Sequence, residues 1–114
     1  MASGESVGAV LARVGNARRQ LATLVGGAST EACELGRVLS ADIADLLDDL
    51  GTSSPAARAA ARAAGERFDS HVLAASLLEA SHASSASVFE LIGRGLIRLN
   101  ADLERLSRTR RLPA

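Results

Sequence analysis

The sequence predicts an all-α fold, either a four-helix up-and-down bundle or a long helical hairpin, pivoting at Gly51-Thr52-Ser53-Ser54-Pro55. Three observations predict it. Alanine and leucine dominate the chain, and the residues that fill strands are scarce, Phe68 and Phe89 being its two aromatics. Apolar residues recur at three- and four-residue steps along four stretches of about 20 to 28 residues. At the pivot, helix stop and start signals abut. Glycine accepts the left-handed conformation past a helix end. Ser54 then caps the next helix through its hydroxyl, and Pro55 takes the first helical position, where no amide bond is lost. The helices on either side must fold back on each other.

The first helix is expected over about residues 5–25, with Val10, Val14, Ala17, Leu21 and Leu24 on one face and Arg13, Arg18 and Arg19 elsewhere. Gly8 and Gly15 weaken it by up to about 1 kcal/mol each unless a neighbour packs closely there. Gly26-Gly27 ends it. The second starts at Ser29 or Thr30, with Glu31 and Glu34 at the positive end of the dipole. Its inward stripe is Ala32, Leu35, Leu39, Ile43, Leu46 and Leu50, widened by Val38 and Leu47.

The far end of this helix carries Asp42, Asp45, Asp48 and Asp49, where the dipole disfavours acids. The next helix opens with Arg58 and Arg62, also mismatched to its dipole, so these groups are expected to pair across the corner. That third helix is expected over about residues 55–82, with Ala57, Ala61, Ala64, Phe68, Ala75 and Leu78 on one face. Its second half, Val72-Leu73-Ala74-Ala75-Ser76-Leu77-Leu78, is apolar almost all round, which predicts burial on several sides, by the bundle or by another chain.

A break is expected at residues 83–86, because Ser87-Val88-Phe89-Glu90 reads as a capping box, although a continuous helix through the serines is the alternative. The fourth helix then carries Phe89, Ile92, Leu96, Leu99, Leu103 and Leu106 as a seam. Glu90 with Arg94, Arg98 with Asp102 and Glu104 with Arg108 are spaced as ion pairs on its exposed side.

At 114 residues the chain makes a single domain. Its 13 basic residues, all arginine, balance 13 acids, so no global field draws it to nucleic acid or anionic lipid. Cys33 stands alone and reads as a small buried hydrophobe. The first residues form no Sec-type signal, and no apolar run approaches the roughly 20 residues of a membrane span. A soluble protein is expected, cytoplasmic or secreted without a Sec signal.

Catalytic chemistry is not legible. The chain has no phosphate-cradling glycine loop, no zinc-type Cys/His spacing and no nucleophile with a base and an orienting group. Glu79 and His82 match one Glu-x-x-His step of a carboxylate-bridged metal site, but such sites need two steps and further carboxylates, and no glutamate stands three residues before His71. Asp42, Asp45 and Asp49 share a helical face, which a continuous helix leaves without the loop oxygens of a calcium or magnesium site. The expectation is no enzyme, no metal and no cofactor. Arg105, Arg108, Arg110 and Arg111 near the C-terminus supply the nucleic-acid alternative, although no aromatics interleave with them.

From about Leu46 to His82, an apolar helix, a tight Gly/Ser turn, the alanines of residues 56–64, then Glu66-Arg67-Phe68-Asp69 and Leu77-Leu78 follow in order. This pattern resembles the small Trp-x-Gly helical hairpin proteins of actinobacterial type VII secretion. Gly51-Thr52-Ser53 stands where that family has its tryptophan turn, and the chain has no tyrosine for the family's C-terminal export signal. The resemblance implies a partner-binding helical hairpin, the signal-less member of a pair. The functional expectation is therefore a non-enzymatic interaction module that forms a homo- or hetero-oligomer. Its interface is expected at Val72, Leu73, Leu77, Leu78, Phe89, Ile92, Leu96, Leu99, Leu103 and Leu106.

Overall fold

The computed structural model describes residues 2–50 and 54–111, with side chains from 7 onward and up to 108. Four helices follow in order: α1 Ala2–Leu24, α2 Ser29–Leu50, α3 Pro55–Ala80 and α4 Ser85–Arg111. Each packs on its neighbours in sequence, α4 closes the ring on α1, and α2 also meets α4 across the middle. Among the described residues α1 and α3 do not meet. The arrangement is an up-and-down bundle, 49 Å long and about 20 Å across. Two helices of about 50 residues would each reach about 75 Å, so the hairpin alternative is set aside.

Helix boundaries follow the chemistry of the chain ends. Gly26 takes a left-handed φ of +94° just past α1, and the Gly27 amide donates to the Leu24 carbonyl at 2.8 Å. Gly51, Thr52 and Ser53 lie outside the described residues, so the glycine half of the expected pivot is not described. Its other half is as expected. Ser54 is extended, its hydroxyl accepts from the Ala57 amide at 3.0 Å, and Pro55 opens α3.

The α3–α4 junction corrects the expected cap. Past the end of α3, His82 adopts a left-handed φ of 61°, the Ala83 amide donates to the Leu78 carbonyl at 2.9 Å and the His82 amide to Glu79 at 3.1 Å. These two bonds form a Schellman closure with histidine in the place glycine usually takes. The chain then restarts one turn before the expected box. Ser84 caps α4, its hydroxyl accepting from the Ser87 amide at 3.2 Å, while the Ser87 hydroxyl is spent on Ser84. A continuous helix through the serines is excluded.

The core is built as the periodicities predict, from Val10 and Val14, through Leu39, Ile43 and Leu50, to Phe68 and Ala75, and along α4 from Val88 to Leu106. Leu24, Leu35, Leu46 and Leu78 pack at its edge, whereas Val38 is exposed. Small residues set how closely the helices approach. A Cβ on Gly95 would sit 2.9 Å from the Cβ of His71, and one on Gly36 would meet Val72 at 3.0 Å and Ile92 at 3.1 Å. Glycine at these two points lets α3 close on α4, and α2 on both. No helix among the described residues is long and apolar enough to cross a membrane.

Candidate interaction surface

Helix α3 has more apolar surface than its bundle covers. Phe68, Val72 and Ala75 point into the core and are buried. Leu73 and Leu77, one turn apart, are each 60% exposed. A helix that buries one stripe leaves the opposite side to water, and polar residues normally occupy it. Here two leucines do.

Leu73 borders a depression of about 470 Å³ between α2 and α3, whose walls include Ala41, Ala44 and Val72, with Arg37 and Asp69 on the rim. Ser40 and Asp69 join the two helices by a hydrogen bond from hydroxyl to carboxylate. They also line a second cavity of about 450 Å³, toward the Ser54-Pro55 corner, with Ile43, Leu47 and Phe68 at its base. At Gly65 the two helices close tightly, a Cβ there meeting Leu47 at 3.1 Å, and the two depressions lie along the rest of the α2–α3 seam. Asp48 of α2 and Arg58 and Arg62 of α3 line the same cavity, which brings opposite charges from both sides of the corner to one place.

The expected interface is corrected for most of its residues. Phe89, Ile92, Leu96, Leu99, Leu103 and Leu106 are buried in the chain's own core, as is Val72, and Leu78 is partly buried against it. The α4 seam is satisfied internally because both neighbours of α4, and α2 opposite it, converge on that stripe. Of the ten residues, Leu73 and Leu77 remain available to a partner.

A polar cluster lies on the α3–α4 edge. Asp102 is a buried charged residue, its side chain 4% exposed. Arg67 of α3 donates to its Oδ2 from Nε at 3.1 Å and from Nη2 at 3.0 Å. Arg98 and Arg105 of α4 donate to Oδ1 at 3.2 and 3.3 Å. The spacing of Arg98 and Asp102 marks a surface pair, and the pair forms, but α3 covers the carboxylate. One turn along α3, His71 Nδ1 donates to the Arg67 carbonyl at 2.9 Å, since a carbonyl only accepts. Glu90 and Arg94 pair on the surface at 2.7 Å, whereas Glu104 and Arg108 stay exposed without forming the third expected pair.

Cys33 is buried, and desolvation pushes its thiol up from the ordinary value, an effect softened by a hydrogen bond with Ser76. Glu79 is half-buried and His82 exposed. Among the described residues, no three of His, Cys, Asp or Glu gather as metal ligands would. The side chains of Arg110 and Arg111 lie outside the described residues.

No family model, curated protein or solved structure matches this chain.

Proposed function

We propose that the chain is a non-enzymatic helical interaction module that pairs with a second copy or with another helical protein through the α2–α3 face. The observation that carries this reading is the exposure of Leu73 and Leu77 beside an open seam between two helices. Covering what remains exposed of both leucines would contribute about 2 to 3 kcal/mol. Association costs at least about 4 kcal/mol in lost freedom, so the leucines alone do not hold a complex and the seam between α2 and α3 must be filled as well. An amphipathic helix laid in the groove does both. The resemblance of residues 46–82 to type VII secretion hairpins, which work in pairs, supports the same reading.

Light scattering of the wild-type chain and of a Leu73→Asp/Leu77→Asp variant tests it. The wild type is expected to exceed its monomer mass of 11.7 kDa, alone or with a helical protein that co-purifies under native conditions, and the variant to return to that mass. A wild type that stays at 11.7 kDa at micromolar concentration and brings no partner through native purification overturns the reading.

A further inference from the structure

We infer, resting on the interaction module proposed above, that its partner is a second copy of this chain, with α3 packed antiparallel on α3 and each copy's leucines seated over the other's alanines. Along the outer side of α3, Ala59, Ala63, Glu66, Ser70, Leu73 and Leu77 follow at alternating steps of four and three, the spacing of a seam between two helices. The bundle leaves this face open, since Ala63 is half-buried and the other five are exposed. The seam is uneven. Its C-terminal half projects two leucines, and its N-terminal half offers alanine. Where the alanines stand the surface is hollow. A depression of about 320 Å³ lies over Ala59 and Ala63, walled by Arg58, Arg62 and Glu66. The cavity of about 450 Å³ beside it shares those three walls and opens between α2 and α3.

Knobs and hollows match about one point. Ala59 with Leu77, Ala63 with Leu73, and Glu66 with Ser70 are each placed symmetrically about residue 68. A second copy related by a two-fold axis at that level sets Leu77 opposite the second copy's Ala59 and Leu73 opposite its Ala63. Such an interface is isologous, so each contact is made twice and one association covers four leucines. Charge selects the direction. A parallel pair would set Glu66 against Glu66, and leucine over leucine would leave the hollows empty. The antiparallel pair sets Glu66 against Ser70, whose hydroxyl donates to the carboxylate, and a polar layer in the middle of a seam fixes its register. The charges of the chain sum to zero, so two copies approach without net repulsion.

Sedimentation equilibrium and oxidative cross-linking of the full chain test this pairing. The wild type is expected to form a dimer that Leu73→Ala weakens by about tenfold or more. The exchange Ala63→Leu/Leu73→Ala moves the leucine to the other half of the same contact, and is expected to restore the dimer to within about threefold of the wild type. A mixture of Ala63→Cys and Leu73→Cys chains is expected to give a disulfide-linked dimer that neither chain gives alone, because like positions lie about 15 Å apart along the axis of an antiparallel pair. Cys33, buried in every chain, is the common background. A wild type that stays monomeric but retains another helical protein overturns this inference and leaves the interaction module standing. So does a dimer that cross-links as fast through one variant alone, or one that the exchange fails to restore. A monomer that retains no partner overturns both.

Discussion

Arg67 and Asp102 tie α3 to α4 through two nitrogens on a single carboxylate oxygen, at 3.0 and 3.1 Å. Asp102 is the buried member and its three arginines are partly in water. The consequences of removing either side are therefore unequal. Asp102→Ala strips all three arginines of their partner and leaves a polar edge facing a small void, and it is expected to cost about 1 to 3 kcal/mol. Arg67→Ala leaves the carboxylate with two other donors and should cost less. Arg98→Ala removes a half-exposed pair and should fall within about 0 to 1 kcal/mol. Urea denaturation followed by circular dichroism measures all three. An Asp102→Ala protein as stable as the wild type would show that the cluster does nothing for the fold.

Two glycines of similar sequence context should respond to alanine with opposite signs. Gly15 in α1 has open space around its missing Cβ, with nothing nearer than an arginine tip at 3.8 Å. Gly15→Ala is expected to stabilise the protein by up to about 1 kcal/mol through helix propensity. At Gly95 a Cβ would lie 2.9 Å from that of His71 and 3.3 Å from the Phe68 ring. Gly95→Ala must push α3 from α4 and is expected to destabilise by about 1 to 3 kcal/mol. Thermal melts of the two variants give the comparison, and a stabilised Gly95→Ala protein would contradict the close approach.

What the sequence reveals here and what it hides have one physical origin. A helical stripe records that a face is buried, and so the stripes of α1 to α4 are readable residue by residue. It does not record what buries the face. The leucines of α4 consequently read as a partner surface although the chain's own helices cover them. Asp102 is the converse case. Its i to i+4 spacing from Arg98 is that of a surface pair, and its burial depends on Arg67 arriving from another helix 35 residues earlier. The start of α4 lies ahead of the Ser87 box for a local reason. Ser84 and Ser87 carry the same capping group, and the closure of α3 at Ala83 decides between them. At Leu73 and Leu77 the surplus over one stripe did register, and those two residues are where the surface is still apolar.

His82 occupies a position that suits glycine. At φ 61° a residue with a Cβ is strained, and histidine is held there by the bonds that the Ala83 amide and its own amide make to α3. Its side chain is exposed, so little packing is lost on removal. His82→Gly relieves the strain but adds freedom to the unfolded chain, and a net gain of about 0.5 to 1 kcal/mol is expected. His82→Val, branched at Cβ, should instead destabilise. If both variants melt together with the wild type, the left-handed closure is not what ends α3.

Cys33 makes the alkaline stability of this protein readable. Burial pushes its thiol above the ordinary value of 9.0, so the folded state holds the proton more tightly than the unfolded chain does. The stability this contributes is fully present below the unfolded thiol's pKa and is lost as pH rises through the folded one. The chain has no lysine and no tyrosine, the side chains that ordinarily titrate just above a thiol. The urea midpoint should therefore fall as pH rises past the ordinary thiol value of 9.0, and a Cys33→Ala protein, though less stable at neutral pH, should lose most of that slope. The same burial shields the sulfur from reagents. Alkylation by iodoacetamide in native buffer should proceed at the rate at which the helices open, and rise steeply in urea. Fast labelling of the folded protein, or an alkaline slope unchanged in Cys33→Ala, would place the thiol in contact with water.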